Sequence, residues 1–573
     1  MRFPMSMVHS SVALLAGCLL LANAGVEGTL PNPFPKLIHV FEEDEGNLKR
    51  YYRFPDSQMD HDRLKQFYQD YQAQLSEIPF DALDQEARVD YILFRNYLEH
   101  ALAQQGHQRK RASEIAEWLA FMPIITNLGT NRRRSEPLDA VATATTLTEL
   151  QKTLEKVASQ LEGDEGMDLD STLANRVIRF AEKAERDLSE WYAFYDGYDP
   201  TFAWWNKAPY QKVNTEFKSY LDLIREHVGD EDTVVGDPIG RRALIEALRQ
   251  EFITYTPEEL IEIAEKEYTW CAREWRRAAQ DLGFDDDWRK ALDHVKTLHV
   301  PPGEQPALIK ELADEAVEFL ETRDLVTIPP VCKETWRMEM MTAERQKVNP
   351  YFTGGEVISV SFPTDAMEHE DKLMSLRGNN RHFCKATVHH ELIPGHHLQI
   401  YMQERHRAYR KLFRTPFLVE GWALYWEMLL WDKNFHSSAE DRVGMLFWRT
   451  HRCARVIFSL SYHLGKMSAQ QCIDYLVKNV GHERRNATAE VRRSVQGGYT
   501  PLYQAAYMLG GLQFRALRKE LVNSGKMTEK EFHDKILLEN SISIDMIRAS
   551  MGGHELSVDY KSKWRFYDED SSE

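Results

Sequence analysis

Four histidines and a glutamate fall within nine positions at His389-His390-Glu391-Leu392-Ile393-Pro394-Gly395-His396-His397. Imidazoles and a carboxylate at this density suit a divalent ion such as Zn2+, whose catalytic sites take three protein ligands and keep a fourth position for water. In the H-E-x-x-H zinc motif the two histidines are four apart, about 40° around and ~6 Å along one helix, so both rings reach one ion. His390 and His396 are six apart. On an unbroken helix that spacing leaves the rings roughly 120° apart and ~9 Å along the axis, too far for two Zn–N bonds of about 2.0–2.1 Å. The helix is therefore expected to be irregular at Pro394-Gly395. Pro394 has no N–H for the carbonyl of His390 and Gly395 tolerates unusual dihedrals, so a bulge or kink there would bring His396 beside His390. His397 faces the same side as His390 two turns on and is the second choice as a ligand.

A third ligand is required, and Glu420 is the candidate. It sits in Phe417-Leu418-Val419-Glu420-Gly421-Trp422-Ala423-Leu424-Tyr425-Trp426-Glu427, an apolar run in which an isolated carboxylate is costly unless paired or metal-bound. Glu427, seven residues on, shares its helix face. Helix geometry allows either to be the ligand, with the other accepting an imidazole N–H and orienting the ring; Glu420 is preferred.

The string His390 through Gln399, followed by Val419 through Tyr425 and then Glu427, resembles the bacterial family catalogued as domain of unknown function 885. The resemblance extends upstream to Gly240 and Thr256-Pro257-Glu258-Glu259-Leu260, and downstream to Pro501 through Gly510, covering residues 40 to 570. Members look like helical metallopeptidases of the gluzincin type, similar in architecture to the oligopeptidases and to angiotensin-converting enzyme, with an insertion in the zinc helix. The resemblance implies that His390, His396 and Glu420 hold zinc and that Glu391 activates the metal-bound water. A carboxylate one residue from a ligand is near enough to take that proton and pass it to the leaving amine. The related peptidases present a tyrosine or histidine from a late helix to the developing oxyanion, and Tyr507 occupies the matching position. Tyr503 lies four residues earlier on the same helical face, but stands where the family more often has Gln, which leaves its role open.

The elements that must position these residues read as helices. Thr256 with Glu259, Ser468 with Gln471 and Thr528 with Glu531 are capping boxes that open helices. Residues 59–104, 139–162, 167–197 and 241–282 carry apolar side chains at three- and four-residue spacing. The exception is Val357–Phe362, where Ile358, Val360 and Phe362 alternate with serine after Gly354-Gly355, which predicts a short strand able to pair with an extended peptide. The expected fold class is mainly α, a large helical bundle-like peptidase fold with a deep cleft and a small β-sheet near the zinc helix. A soft boundary near Pro329-Pro330 separates a helical scaffold half (25–330) from a catalytic half (331–573) within one family-wide domain. The aromatic run from Trp191 to Tyr198 and Trp204-Trp205 read as packing, and His382, His389 and His463 as ordinary core or surface histidines.

Composition sets outer limits. The 573 residues carry 71 Lys+Arg against 89 Asp+Glu, a formal charge of −18, which argues against nucleic acid as the main partner. Hydrophobic residues at 43% and charged residues at 28% are ordinary globular usage and exclude a disordered or collagen-like chain. Met1-Arg2, the apolar stretch Val12–Ala22 and the cut site Ala22-Asn23-Ala24 form a signal peptide over residues 1–24. Leu15-Ala16-Gly17-Cys18 also resembles a lipobox, through which a lipidated Cys18 would anchor the chain to the envelope. Both readings export the remainder to the periplasm, the cell envelope or the exterior. The five later cysteines contain no C-x-x-C pair and read as buried thiols. The expectation is an exported zinc-dependent metallopeptidase acting on short peptides. The alternatives are a zinc hydrolase of a non-peptide amide or cell-wall fragment, and an inactive peptidase-fold binding protein.

Overall fold

The structure, a computed structural model, describes residues 31–53, 57–162, 169–229, 233–342, 345–346, 352–496 and 499–567. The expected signal segment and Cys18 lie outside the described residues. The three capping boxes form as the sequence dictates: each hydroxyl accepts the N3 amide and each Glu or Gln reaches back to the cap amide.

Among the described residues the chain is mainly α. It begins with α1 (Phe34–Tyr51), α2 (Gln58–Ser76) and α3 (Gln85–Ser113). Next come α4 (Met122–Arg133), α5 (Ala140–Glu162), α6 (Ser171–Asp196) and α7 (Pro200–Glu226), which share a core of their own built from residues such as Leu147, Leu154, Val177, Phe217 and Tyr220. Then follow α8 (Gly240–Gln250), α9 (Pro257–Asp281), α10 (Trp288–Lys296), α11 (Gln305–Thr322) and α12 (Pro330–Thr335). Strands β1 (Arg337–Met340) and β2 (Val357–Val360) precede α13 (His369–Gly378), α14 (Arg381–Glu391), α15 (His396–Gln403), α16 (Pro416–Asp432) and α17 (Ala439–His463). The chain closes with α18 (Ala469–Val480), α19 (Arg484–Val495), α20 (Tyr503–Arg518), α21 (Glu529–Leu538) and α22 (Ile544–Gly552). No described helix is long and apolar enough to cross a membrane.

Two cores hold the site-bearing helices. One packs α9 against α17 to α20 through Leu260, Ile263, Val456, Leu460, Leu476, Val491 and Met508. The other joins Phe34, Ile38 and Phe94 of the first helices to Trp422, Trp426, Phe514 and Ile544, so it spans both sides of residue 330. Helix α17 runs through the centre with both faces covered: from Val443 to His463 every residue is buried. Its buried polar side chains are paired, as Arg449 is with Glu267 at 2.9 Å and Arg455 with Glu490 at 2.6 Å.

The predicted strand is present, paired in parallel with β1 in the register Arg337↔Val357 to Met340↔Val360. Ile358 and Val360 pack on Val388 of α14 and on Leu392 just after it, tying the sheet to the histidine-bearing helix. The serine side is covered as well, with Ser361 donating to Gln346 at 2.9 Å. The outer edge of β2 is partly taken by its own chain: Thr353 and Ser359 exchange both backbone hydrogen bonds at 3.3 and 2.8 Å. An extended peptide therefore cannot add along the whole strand. The packing reading of the aromatics holds for Trp191 and Tyr195, which are buried, but not for Phe194, Tyr198 and Trp205, which are exposed, nor for Trp204, which is 84% exposed. It lies on the outer face of α7, where helical spacing alone does not say which side meets a neighbour.

The closest helix contact is between α16 and α20. A Cβ built on Gly510 would lie 2.1 Å from the carbonyl oxygen of Phe417 and 2.8 Å from Cα of Gly421; one built on Gly421 would lie 2.5 Å from Cα of Gly510. These are backbone atoms of buried helices and cannot move aside as a side chain can. Gly510→Ala is expected to push the helices apart and destabilise the protein by about 3 kcal/mol or more, read as a lower denaturation midpoint with far-UV circular dichroism still helical.

Candidate metal centre and its cavity

Asn380 opens α14 by accepting the amides of His382 and Phe383 at 3.0 and 3.1 Å. The helix ends at Glu391, and α15 begins at His396. The expected irregularity is thus a full break, a four-residue turn between two helices. Gly395 N–H donates to the carbonyl of His389 at 3.0 Å, and His397 and Leu398 both donate to the carbonyl of Leu392 at 3.0 and 3.3 Å. The Trp422 indole secures the turn by donating to the carbonyl of Pro394 at 2.8 Å. Glycine is required at 395 because a Cβ would lie 1.8 Å from the carbonyl oxygen of His390. The break sets the His390 and His396 rings at a centroid separation of 4.8 Å and nearly perpendicular, at 88°.

Helix α16 brings the third group. Glu420 Oε2 lies 3.2 Å from His396 Nε2 and 3.7 Å from His390 Nε2. One donor atom from each of His390, His396 and Glu420 lies within 4.8 Å of the others. Two ligands on ~2.1 Å bonds at a tetrahedral angle sit about 3.4 Å apart, so these residues can hold one Zn2+-sized ion. Glu420 Oε2 is buried with no hydrogen-bond partner, a state that is costly unless a cation occupies the space between these atoms. Burial opposes ionisation of Glu420, yet His396 and His390 hold its carboxyl well below the usual range.

The second carboxylate supports the first set. Glu427 Oε1 lies 2.6 Å from His390 Nδ1 and 3.6 Å from Arg452 Nη2. It therefore orients the ring with Nε2 turned to Glu420. Burial alone would lower the His390 pKa, but Glu420 and Glu427 override it and push it up to about 9. Of the two glutamates the sequence left open, Glu420 is the one within ligand reach, and Glu427 is the orienting acceptor. His397 is not brought in. Its Nε2 lies 2.8 Å from the carbonyl of Cys332, because within α15 it stands one residue, about 100°, round from His396.

Glu391 sits beside the cluster. Burial raises its pKa above the ordinary carboxylate value, against the opposing pull of His396 and His390. The loop before β2 closes on it: a Cβ on Gly354 would meet Glu391 Cβ and Oε2 at 2.4 Å, and Gly355 N–H donates to the Glu391 carbonyl at 3.2 Å. The Gly354-Gly355 pair thus gives the loop room over the carboxylate as well as a turn.

Helix α20 contributes two tyrosines with different tasks. Tyr503 donates its hydroxyl to Glu420 Oε1, and its pKa is pushed up strongly by burial, with Tyr507 and Glu420 adding to the effect. The Tyr507 ring lies 6.2 Å from that of His390 and near-parallel at 13°. Its hydroxyl makes no hydrogen bond among the described residues. His390, Glu391, His396, Glu420, Tyr503 and Tyr507 all line one cavity of about 310 Å³.

Sequence reasoning missed the arginines of this cavity: Arg452 and Arg455 from α17, Arg493 from α19, and Arg414 before α16. The signal was present. Arg452 and Arg455 are one turn apart within Cys453-Ala454 and Val456-Ile457, a segment too apolar to leave two guanidiniums facing solvent. His382 pairs with Asp441 at 2.7 Å, while His389 is buried without a hydrogen-bond partner. The five later cysteines are all free and buried.

Fold and site together define a mainly α-helical protein with a two-histidine, one-carboxylate cluster lining a small cavity. The chain belongs to the family described as bacterial protein of unknown function (DUF885), whose model matches residues 46–551. No curated protein matches it. Among solved structures, a candidate lipoprotein of unknown function from Shewanella oneidensis is similar at TM-score 0.67 and 17% identity, over 91% of this chain and 100% of that one. A candidate lipoprotein from Colwellia psychrerythraea is similar at TM-score 0.58 and 13% identity, over 91% of this chain and 99% of that one. At these identities the likeness is one of fold.

The helix that carries Glu420 is capped by Thr415, which accepts the Phe417 amide at 3.1 Å and donates to Glu251. Burial pushes the Glu251 carboxyl up to about 7 from 4.5, against the Thr415 hydrogen bond. Between those values the folded state holds a proton that the unfolded chain releases, so the stability Glu251 contributes is present below pH 4.5 and is lost as pH rises towards 7. Glu251→Gln is expected to remove that decline. Its denaturation free energy should gain on the wild type by an amount that grows from pH 4.5 to pH 7; a difference constant with pH would refute the assignment.

Proposed function

We propose that this protein is an exported zinc-dependent peptidase. The observation that carries the reading is the cluster of His390, His396 and Glu420 with Glu391 beside it, in a cavity that also presents an unbonded tyrosine hydroxyl. A zinc ion there would supply Lewis acidity and lower the pKa of an adjacent water to about 7.

The chain's own residues account for the rest. Glu391, which lines the same cavity as the cluster, would accept a proton from the attacking water and deliver it to the leaving amine. The Tyr507 hydroxyl, with no partner to give up, is free to donate to a carbonyl oxygen as negative charge grows on it. Tyr503 is already committed to Glu420 and holds the carboxylate in place. Glu427 keeps the His390 proton on Nδ1. The small cavity favours short peptides over folded proteins. Placement outside the cytoplasm, anchored to the envelope through Cys18, is supported by the N-terminal signal and lipobox and by the candidate lipoproteins whose fold is similar.

The test is mass spectrometry of a mixed short-peptide pool incubated with zinc-loaded protein, beside Glu391→Gln and with bound zinc measured for both. The expected outcome is cleavage by the wild type alone, with equal zinc in the two proteins. No cleavage by either, with zinc bound, would move the reading to a non-peptide amide or cell-wall fragment; no zinc in either would leave a binding protein. Glu427→Gln is expected to weaken zinc by about 10–100-fold in a competition titration with a chelator, because the His390 ring keeps an acceptor at Nδ1 but loses the negative charge that makes Nε2 more basic.

A further inference from the structure

The arginines missed by sequence reasoning exceed the carboxylates available to them. Glu490 serves two guanidiniums at once, with Arg455 Nε at 2.6 Å and Arg493 Nη2 at 2.7 Å. It also accepts from Gln504 at 3.1 Å. Arg452 has Glu427 at 3.6 Å, but that carboxylate is engaged more closely by His390 at 2.6 Å. Arg452 and Arg455 are only 5% and 3% exposed, and Arg452 Nε, Arg455 Nη1 and Arg493 Nε are buried with no hydrogen-bond partner. Arg414 stands at the same cavity on an exposed residue, with no ion pair among the described residues. Buried guanidinium N–H groups without acceptors are costly, and a carboxylate is the acceptor whose geometry matches them.

The surplus sits close to the reaction centre. The guanidiniums of Arg452 and Arg455 lie 4.7 and 4.6 Å from the centre of the Tyr507 ring, which is itself 6.2 Å from the His390 ring. An anion held there is within a residue or two of a bond presented to Glu391, given an extended rise of about 3.3 Å per residue. The anion that every linear peptide carries at a fixed distance from its last bonds is its free α-carboxylate. A cavity of about 310 Å³, at the small end of ligand sites, suits a chain end better than a segment running through.

We infer that Arg452, Arg455 and Arg493 bind the substrate's C-terminal carboxylate, so that the enzyme is a carboxypeptidase removing one or two residues from the end of a peptide. The inference rests on the peptidase reading above. In the reaction the water oxygen bonds to the scissile carbonyl carbon, the C–N bond breaks, and the water proton taken by Glu391 leaves on the new amine. The arginines touch only the terminal carboxylate and keep the chain in register.

The experiment measures binding apart from turnover. Zinc-loaded Glu391→Gln protein is titrated calorimetrically with one short peptide as its free acid, the same peptide as its C-terminal amide, and an amidated peptide with Asp as its last residue. The free acid is expected to bind about 10–100-fold more tightly than the plain amide, as for loss of a charge-assisted hydrogen-bond pair. Adding Arg455→Gln should abolish that preference; Arg493→Gln, on a partly exposed side chain, should reduce it without threatening the fold. Wild type should release C-terminal residues from the free acid alone. Equal binding of acid and amide, or cleavage of both at internal bonds, overturns the inference and leaves the peptidase reading standing. An amidated Asp peptide bound as tightly as the free acid overturns it in favour of an acidic side-chain subsite. Tighter binding of the free acid with no cleavage by wild type upholds the arginine site and instead removes the peptidase reading.

Discussion

The backbone contact between Gly421 and Gly510 governs the geometry of everything around it. With no Cβ on either residue, α16 and α20 approach until main-chain atoms touch. Glu420 is the residue before one glycine, and Tyr507 lies one turn before the other. The contact therefore sets how far a carboxylate on one helix stands from two tyrosines on the next, and the Tyr503–Glu420 hydrogen bond follows from it. A helix pair held apart by ordinary side chains, at 8–10 Å between axes, would separate these groups by more than a hydrogen bond.

Charge is the second constraint. Three buried carboxyl groups and several buried guanidinium and imidazole groups share a small volume, and none could be ionised there alone. They are arranged so that each carboxylate serves two partners: Glu427 serves His390 and Arg452, and Glu490 serves Arg455 and Arg493. Glu420 is the exception, with one oxygen on Tyr503 and the other left between two imidazoles. Two of the unmet demands among the described residues face each other across this cavity, a Glu420 oxygen with no hydrogen-bond partner and guanidinium N–H groups of Arg452, Arg455 and Arg493 with none. The proposed metal would answer the first and the proposed substrate end the second, and on that proposal a single cavity would offer both halves of a hydrolytic site.

Much of this was legible from residue types. The capping boxes at Thr256, Ser468 and Thr528 are local hydrogen-bond patterns and appear as written. The spacing of His390 and His396 demanded a broken helix, and Pro394-Gly395 supplied the means. Glu420 announced itself as a carboxylate in an apolar run. What escaped notice was relational. His397, the second choice as a ligand, instead meets the carbonyl of Cys332, a residue 65 positions away that no local pattern brings to it. Trp204 shares its helical period with core aromatics yet faces outward, since period identifies a face and not its neighbour.

The sequence by itself determined a mainly helical chain, the position of its one informative strand, and the identity of the residues able to hold a metal and move a proton. These follow from local rules: capping chemistry, apolar period, and the cost of charge in apolar surroundings, and they name candidates for metal binding and proton transfer. Only the tertiary structure decided which of two glutamates stands beside both imidazoles, which of two tyrosines keeps its hydroxyl unbonded among the described residues, and that arginines from α17 and α19 meet at the same cavity. Each of those outcomes depends on groups distant in the chain, such as Glu420 and Tyr503 at a separation of 83 residues. Helix-on-helix packing sets such distances, and no local pattern encodes them.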